Sequence, residues 1–220
     1  MMRRKRPIQK VTAFVTRMAA GKAELLLMEH PTAGIQLPAG TVELGETPEA
    51  AVFREVKEET GLVDVELVEI LGQLSIELPE SEKIVTRVTK LFDAPASDAS
   101  SVGGFGLSRG SPVKVKRVVD GFAEVICDPL DLGEWPPIRV NGVEGFVRTS
   151  LLTGTAERYL FHLVITKPAP DYLKSFTDGV TFRCYWESLN PMPELHPDQQ
   201  SWLEQSYMSL LASVERRNSQ

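Results

Sequence analysis

The sequence predicts an α/β domain interrupted by a small β-barrel, on three observations. A β-hairpin pattern near the start leads into one well-delimited helix; a run of short strands with tight turns fills the middle; and apolar strands with an amphipathic helix resume beyond it. The elements after the middle run resemble those before it. The expected division is therefore a first part of the α/β domain over residues 1–87, a β-barrel insertion over 88–152, and the second part of the α/β domain with a closing helix over 153–220.

Taken in order, residues 11–18 and 23–29 are β-rich and separated by Ala19-Ala20-Gly21-Lys22, which predicts a hairpin. After a loop containing Pro31, Gly34, Pro38 and Gly40, Thr47 and Pro48 supply an N-cap and a proline for the first helical position. Gly61 supplies the stop. Residues 63–78 and 84–92 read as two strands around the polar turn 79–83. The Ser/Gly/Ala/Pro-rich stretch 94–111 then gives way to residues 113–119, which alternate with period two, and to a short strand over 121–126. Two further strands are expected around Asn141-Gly142, within 138–147. Residues 159–166 and 180–186 are apolar strands. From Pro197 to about Val214, Trp202, Leu203, Tyr207, Leu210 and Leu211 recur at helical spacing.

The chain has 220 residues, enough to bury a substantial core, with 42% hydrophobic and 25% charged residues. It has no apolar run approaching the roughly 20 residues that cross a bilayer. A soluble, cytoplasmic protein is expected. Arg3, Arg4, Lys5 and Arg6 pass into Pro7-Ile8-Gln9-Lys10 without the apolar stretch of a secretory signal and read as a solvated tail. The net charge of -6 argues against nucleic acid as a partner, save an RNA 5′ end. Residues 86–152 hold eight Lys/Arg and eight Asp/Glu, so the acidic excess belongs to the flanking parts. Cys127 and Cys184 have neither disulfide-framework nor zinc-ligand spacing, and His30, His162 and His196 are isolated.

The chemistry concentrates in residues 40–62. Gly40 is followed by five residues and Glu46, then by seven residues and Arg54-Glu55-Val56-Lys57-Glu58-Glu59-Thr60-Gly61-Leu62. On a helix, Glu55, Glu58 and Glu59 stand at i, i+3 and i+4 and emerge from one face. Three like charges there repel unless a cation neutralises them, and hard oxygen donors suit Mg²⁺ or Mn²⁺. Arg54 precedes Glu58 by four residues and can hold its carboxylate, Phe53 and Val56 turn to another face to anchor the helix, and Gly40 and Gly45 permit a tight loop. A surface helix merely rich in glutamate would lack the loop glycines, Glu46 and Arg54.

The stretch resembles the signature of the Nudix hydrolases at every specified position, which implies an α/β/α sandwich with a mixed sheet and hydrolysis of a pyrophosphate linkage. The resemblance implies that Glu55, Glu58 and Glu59 bind metal, that the Gly40 carbonyl completes a coordination shell, and that Glu46 and Arg54 orient the others. A further acidic residue from a later loop is expected in such proteins. Asp178, before the strand over 180–186, stands in the right order but also reads as a turn residue, and Asp171 is a weaker candidate. The substrate implied is a small nucleotide, a nucleoside diphosphate linked to another group. ADP-ribose or a nucleotide sugar is favoured because Pro79 lies seventeen residues after the signature, near the spacing of that subgroup. A nucleoside triphosphate, a dinucleoside polyphosphate or a capped RNA end remains open.

Residues 88–152 resemble a bacterial SH3-like domain, on residues 107–115, 121–125, 140–147 and 150–152, with Phe146 where tryptophan is common and a longer loop over 128–137 carrying Trp135. Such a module could bind a partner, wall the active site, support a homodimer or be a tolerated insertion. The competing class is a non-catalytic protein that senses a nucleotide and signals through this module.

Overall fold

The computed structural model describes residues 6–30, 34–127, 142–177 and 180–219, and divides into two compact units. One comprises residues 10–74 with 158–219, the other residues 6–9 with 75–157.

The first unit is built on a sheet. Strands β1 (Ile8–Ala19) and β2 (Lys22–His30) form the expected hairpin, with Ala20 and Gly21 both at positive φ as a type I′ turn requires. Short strands β3 (Gly34–Gln36) and β4 (Ala39–Thr41) pair with β2 and β1 respectively. Helix α1 (Pro48–Thr60) follows, then β5 (Val65–Glu77). After the other unit come β13 (Thr155–Ile165), β14 (Tyr172–Thr177), β15 (Val180–Ser188) and helix α2 (Pro197–Asn218). The strand order is β14-β15-β2-β1-β13-β5.

Alternation along these strands sorts the core into two layers. Val11, Ala13, Val15, Leu26, Met28, Phe161, Leu163 and Cys184 face Ala51, Val52 and Val56 of α1. Phe14, Leu25, Leu27 and Leu160 point the other way, against Leu203, Leu210 and Val214 of α2. An α/β/α sandwich results. Fully burying Val52 and Val56 contributes roughly 1.5–3 kcal/mol each. Phe53 is 36% exposed and does not anchor the helix, contrary to the sequence expectation, because one residue turns it about 100° away from the Val52 stripe.

The α2 layer carries a polar line. Arg158 donates from Nη1 to the Val11 carbonyl (3.0 Å) and to Thr12 Oγ1 (2.8 Å), and its guanidinium lies 3.6 Å from the Trp202 ring centroid. Further along β13, His162 bonds Thr16 Oγ1 through Nε2 (2.8 Å) and Ser213 Oγ through Nδ1 (2.6 Å). Both sequence segments and the helix are thereby tied together.

The second unit contains β6 (Glu82–Val85), β7 (Thr89–Phe92), β8 (Ser101–Leu107), β9 (Pro112–Val119), β10 (Phe122–Cys127), β11 (Val143–Arg148) and β12 (Leu152–Thr153). They form one sheet in the order β12-β6-β9-β10-β11-β7-β8 over a core of Val85, Leu91, Leu107, Val113, Val125 and Val147. Among the described residues no pairing joins β12 to β8, so the expected closed barrel is not found. The single expected strand over 84–92 breaks at residues 86–88 into β6 and β7, which stand near opposite ends of that order. The Thr86 amide bonds the Leu151 carbonyl and Arg109 Nη1 bonds the Thr86 carbonyl (2.7 Å), which sends β6 and β7 to different neighbours. Asn141 and Trp135 lie outside the described residues.

Burial lowers the His162 imidazole from its ordinary 6.5 to about 4, so the folded chain holds it neutral. The unfolded chain takes up a proton first as pH falls. Stability is therefore full above pH 6.5 and is lost between there and about pH 4, by about 3 kcal/mol at most. Chemical denaturation across that window should show a shallower pH dependence for His162→Gln than for the parent; equal slopes would contradict the assignment.

Candidate active site

Helix α1 begins where the sequence places it. Thr47 Oγ1 accepts the Ala50 amide (3.2 Å), Pro48 takes the first position, and Gly61 ends the helix at φ 77° with its amide on the Lys57 carbonyl (2.9 Å). Helical spacing then projects Glu55, Glu58 and Glu59 toward the loop that carries Gly40 and Glu46.

Arg54 organises that loop. Its Nε and Nη2 donate to the two oxygens of Glu46 (3.0 and 2.9 Å), Nη1 donates to Glu55 (2.8 Å) and Glu58 (3.2 Å), and Nη2 also donates to the Thr41 carbonyl (3.1 Å). All five guanidinium N–H groups are thus directed to oxygen. The Glu46 carboxyl is held below the usual range, chiefly by its bonds to Arg54, and the Arg54 guanidinium is correspondingly raised. Glu46 also accepts the Glu43 amide (3.0 Å), which closes the loop on itself. Gly45 turns this loop at φ 89°.

The Glu55 side chain is more enclosed than that of Glu58, at 13% against 50% exposed, and burial raises its carboxyl despite the neighbouring Arg54. Its position explains Gly40 more sharply than loop tightness does. A Cβ built on Gly40 would stand 1.9 Å from Glu55 Oε1 and 2.0 Å from Cδ, so only glycine lets the carboxylate lie against the strand. Strand β4 is itself pinned to β1 through the pairs Lys10 with Thr41, Val11 with Gly40 and Thr12 with Ala39.

Glu59 is fixed at both ends. The Ala39 amide donates to its carboxylate (2.9 Å), while its backbone carbonyl accepts from Ser175 Oγ and, at 3.7 Å, from Cys184 Sγ. Neither Ser175 nor Cys184 is legible as a site residue in the sequence. They lie 116 and 125 residues beyond Glu59, and no motif connects them to it.

Of the other sequence candidates, Asp171 accepts from Arg17 Nη2 (2.7 Å), while Arg17 Nε donates to Glu24 (2.6 Å) and the guanidinium lies over Trp186. That arrangement ties down the approach to β14. Asp178 lies outside the described residues. The histidines are placed elsewhere: His162 is in the α2 layer, His196 caps α2, and His30 packs edge-on to Phe182. Among the described residues, no three His, Cys, Asp or Glu side chains converge as a ready-made metal cage.

Residues 8–93 match the model of the NUDIX domain, and no curated protein matches the chain. The fold is similar to that of an Ap4A hydrolase of C. elegans, at 13% identity and a TM-score of 0.45 over 93% of this chain and 98% of that one. It is also similar to the NUDIX domain of Shewanella oneidensis NrtR solved with ADP ribose, at 12% identity and a TM-score of 0.43 over 97% and 89%. A dihydroneopterin triphosphate pyrophosphohydrolase of E. coli gives 14%, a TM-score of 0.40, 96% and 95%. Likenesses this distant carry no choice of substrate. The domain match covers residues 8–93, the part of the chain that holds the whole signature from Gly40 to Leu62, and supports a hydrolase acting on phosphoric anhydride bonds.

Gly40→Ala should force the Glu55 carboxylate off the strand, and because the end of that flexible side chain can swing away, the fold should lose no more than about 1 kcal/mol. Denaturant titration reads this directly. A loss of several kcal/mol would show that the Glu55 carboxylate cannot move away.

Proposed function

We propose that this chain is a metal-dependent pyrophosphohydrolase that cleaves the diphosphate linkage of a nucleoside diphosphate derivative, with ADP-ribose or a nucleotide sugar as the first substrates to test. The observation that carries the reading is the clasped carboxylate face: Glu55 against Gly40, Glu58 and Glu46 on Arg54, and Glu59 on the Ala39 amide.

The residues fit a divalent cation. The donors are all hard oxygens, and Glu55 lies against the Gly40 backbone without a Cβ between them. Glu55, Glu58, Glu59 and the carbonyl of Gly40 would hold Mg²⁺ or Mn²⁺. When bound, such an ion polarises phosphoryl oxygens and lowers the pKa of a coordinated water. Arg54 keeps the carboxylates from repelling one another and, with Glu46, orients them. The bonds to the Glu59 carbonyl from Ser175 and Cys184 hold the C-terminal end of α1, and with it the spacing of the carboxylates, in register with the sheet. Asp178 completes the proposed acidic set.

The proposal extends to residues 88–152 as an SH3-like module that contacts a protein partner or a second copy, and to a cytoplasmic setting. The order of residues 107–115, 121–125, 140–147 and 150–152 in the sequence supports the first, and the spacing of Cys127 and Cys184, far apart as in a chain built without a disulfide framework, supports the second.

Purified protein with Mg²⁺ or Mn²⁺ should release a nucleoside monophosphate from at least one nucleoside diphosphate derivative in a panel, and chelation should stop it. Glu58→Gln should lower kcat more than about a hundredfold with the fold intact. Binding of a panel member without turnover would favour the nucleotide-sensing alternative and sink the catalytic one.

A further inference from the structure

The glutamates of α1 are anchored from two directions. Arg54 directs its N–H groups to Glu46, Glu55, Glu58 and the Thr41 carbonyl. Glu59 is anchored from the sheet: its carboxylate accepts the Ala39 amide, and its backbone carbonyl accepts from Ser175 Oγ. That carbonyl belongs to the last turn of α1, just before Gly61 ends the helix, where carbonyls have run out of helical amides to accept. The Ser175 hydroxyl and, more weakly, the Cys184 thiol at 3.7 Å supply donors in their place.

The strand that brings Ser175 is lightly held. β14 has six residues, lies at the end of its sheet and pairs with β15. Leu173 packs in the α1 layer, so it and Ser175 face the glutamates. By alternation Tyr172 and Phe176 face the other way. They are 80% and 70% exposed, so α2 does not press β14 from behind. Its seat on the carboxylate helix is made through Leu173 and the Ser175 hydroxyl, and a short strand with so little buried surface stands at the low end of local stability.

We propose that Ser175 is a positioning residue of the carboxylate site, and that the seating of β14 and the binding of a divalent cation are coupled through the Glu59 carbonyl, an inference that rests on the metal-dependent reading above. Helix ends fray, and Glu59 is the ligand nearest the end. A donor that holds its carbonyl keeps its carboxylate in place beside Glu55 and Glu58, which Arg54 already fixes. Ordering the donors in advance lowers the cost of binding. Reciprocity then requires that a bound cation strengthen the seating of β14 by the same factor. Neither effect passes through the opposite face of the strand, so Tyr172 and Phe176 take no part in it.

Two measurements on the full chain test this without turnover. Mn²⁺ binding followed by electron paramagnetic resonance reads the affinity. Ser175→Val, which replaces the hydroxyl with a methyl group, should weaken it about threefold to tenfold, the range that one lost hydrogen bond spans. Ser175→Thr keeps the O–H and should bind like the parent, and thermal melts should show both metal-free variants folded. Hydrogen exchange is the second measurement: saturating Mn²⁺ should slow exchange of the amides of residues 172–177 in the parent and in Ser175→Thr, and leave it unchanged in Ser175→Val. Parent-like affinity in Ser175→Val, a Ser175→Thr variant as weak as Ser175→Val, or β14 exchange indifferent to Mn²⁺ in a parent that binds it would overturn the coupling and leave the metal reading standing. A parent that binds no Mn²⁺ would overturn both.

Discussion

The site depends on one cation. Glu46, Glu55 and Glu58 come within hydrogen-bond distance of a single guanidinium, and without Arg54 their charges would repel across a few ångströms. A lysine could neutralise charge but could not direct five donors to five oxygens from one planar group. Because Arg54 also reaches the Thr41 carbonyl, the same side chain fixes the loop, the helix and β4 together. The glycine at position 40 completes the arrangement by removing the one atom that would exclude Glu55.

The sheet does the remaining positioning. Strand alternation assigns one face to α1 and the carboxylates and the other to α2 and the polar line of Arg158, His162 and Ser213. Since the faces are independent, β14 can support the Glu59 carbonyl through Ser175 while presenting Tyr172, Lys174 and Phe176 on its other side.

The second unit illustrates how a small backbone feature redirects a topology. A strand that reads as continuous over residues 84–92 breaks at Thr86, Arg87 and Val88, and its halves then pair with different neighbours. Periodicity registers the apolar positions of both halves, Val85 and Leu91, and both are buried in the same core. It does not register the corner between them, which is set by hydrogen bonds from Arg109 and to Leu151.

By itself the sequence determined the helix that bears the carboxylates, its caps at Thr47 and Gly61, the pairing of Arg54 with Glu58, and the hairpin and closing helix, because these rest on contacts between residues near in sequence. It also determined that Glu55, Glu58 and Glu59 share a face, since helical spacing leaves no alternative. Only the tertiary structure decided that Glu46 is the principal partner of Arg54, that Gly40 serves Glu55, that Phe53 stays outside, and that Ser175 and Cys184 hold the Glu59 carbonyl. Those outcomes depend on which segments the sheet brings together and on how closely a backbone and a carboxylate approach, and neither is written in the spacing of residues along the chain.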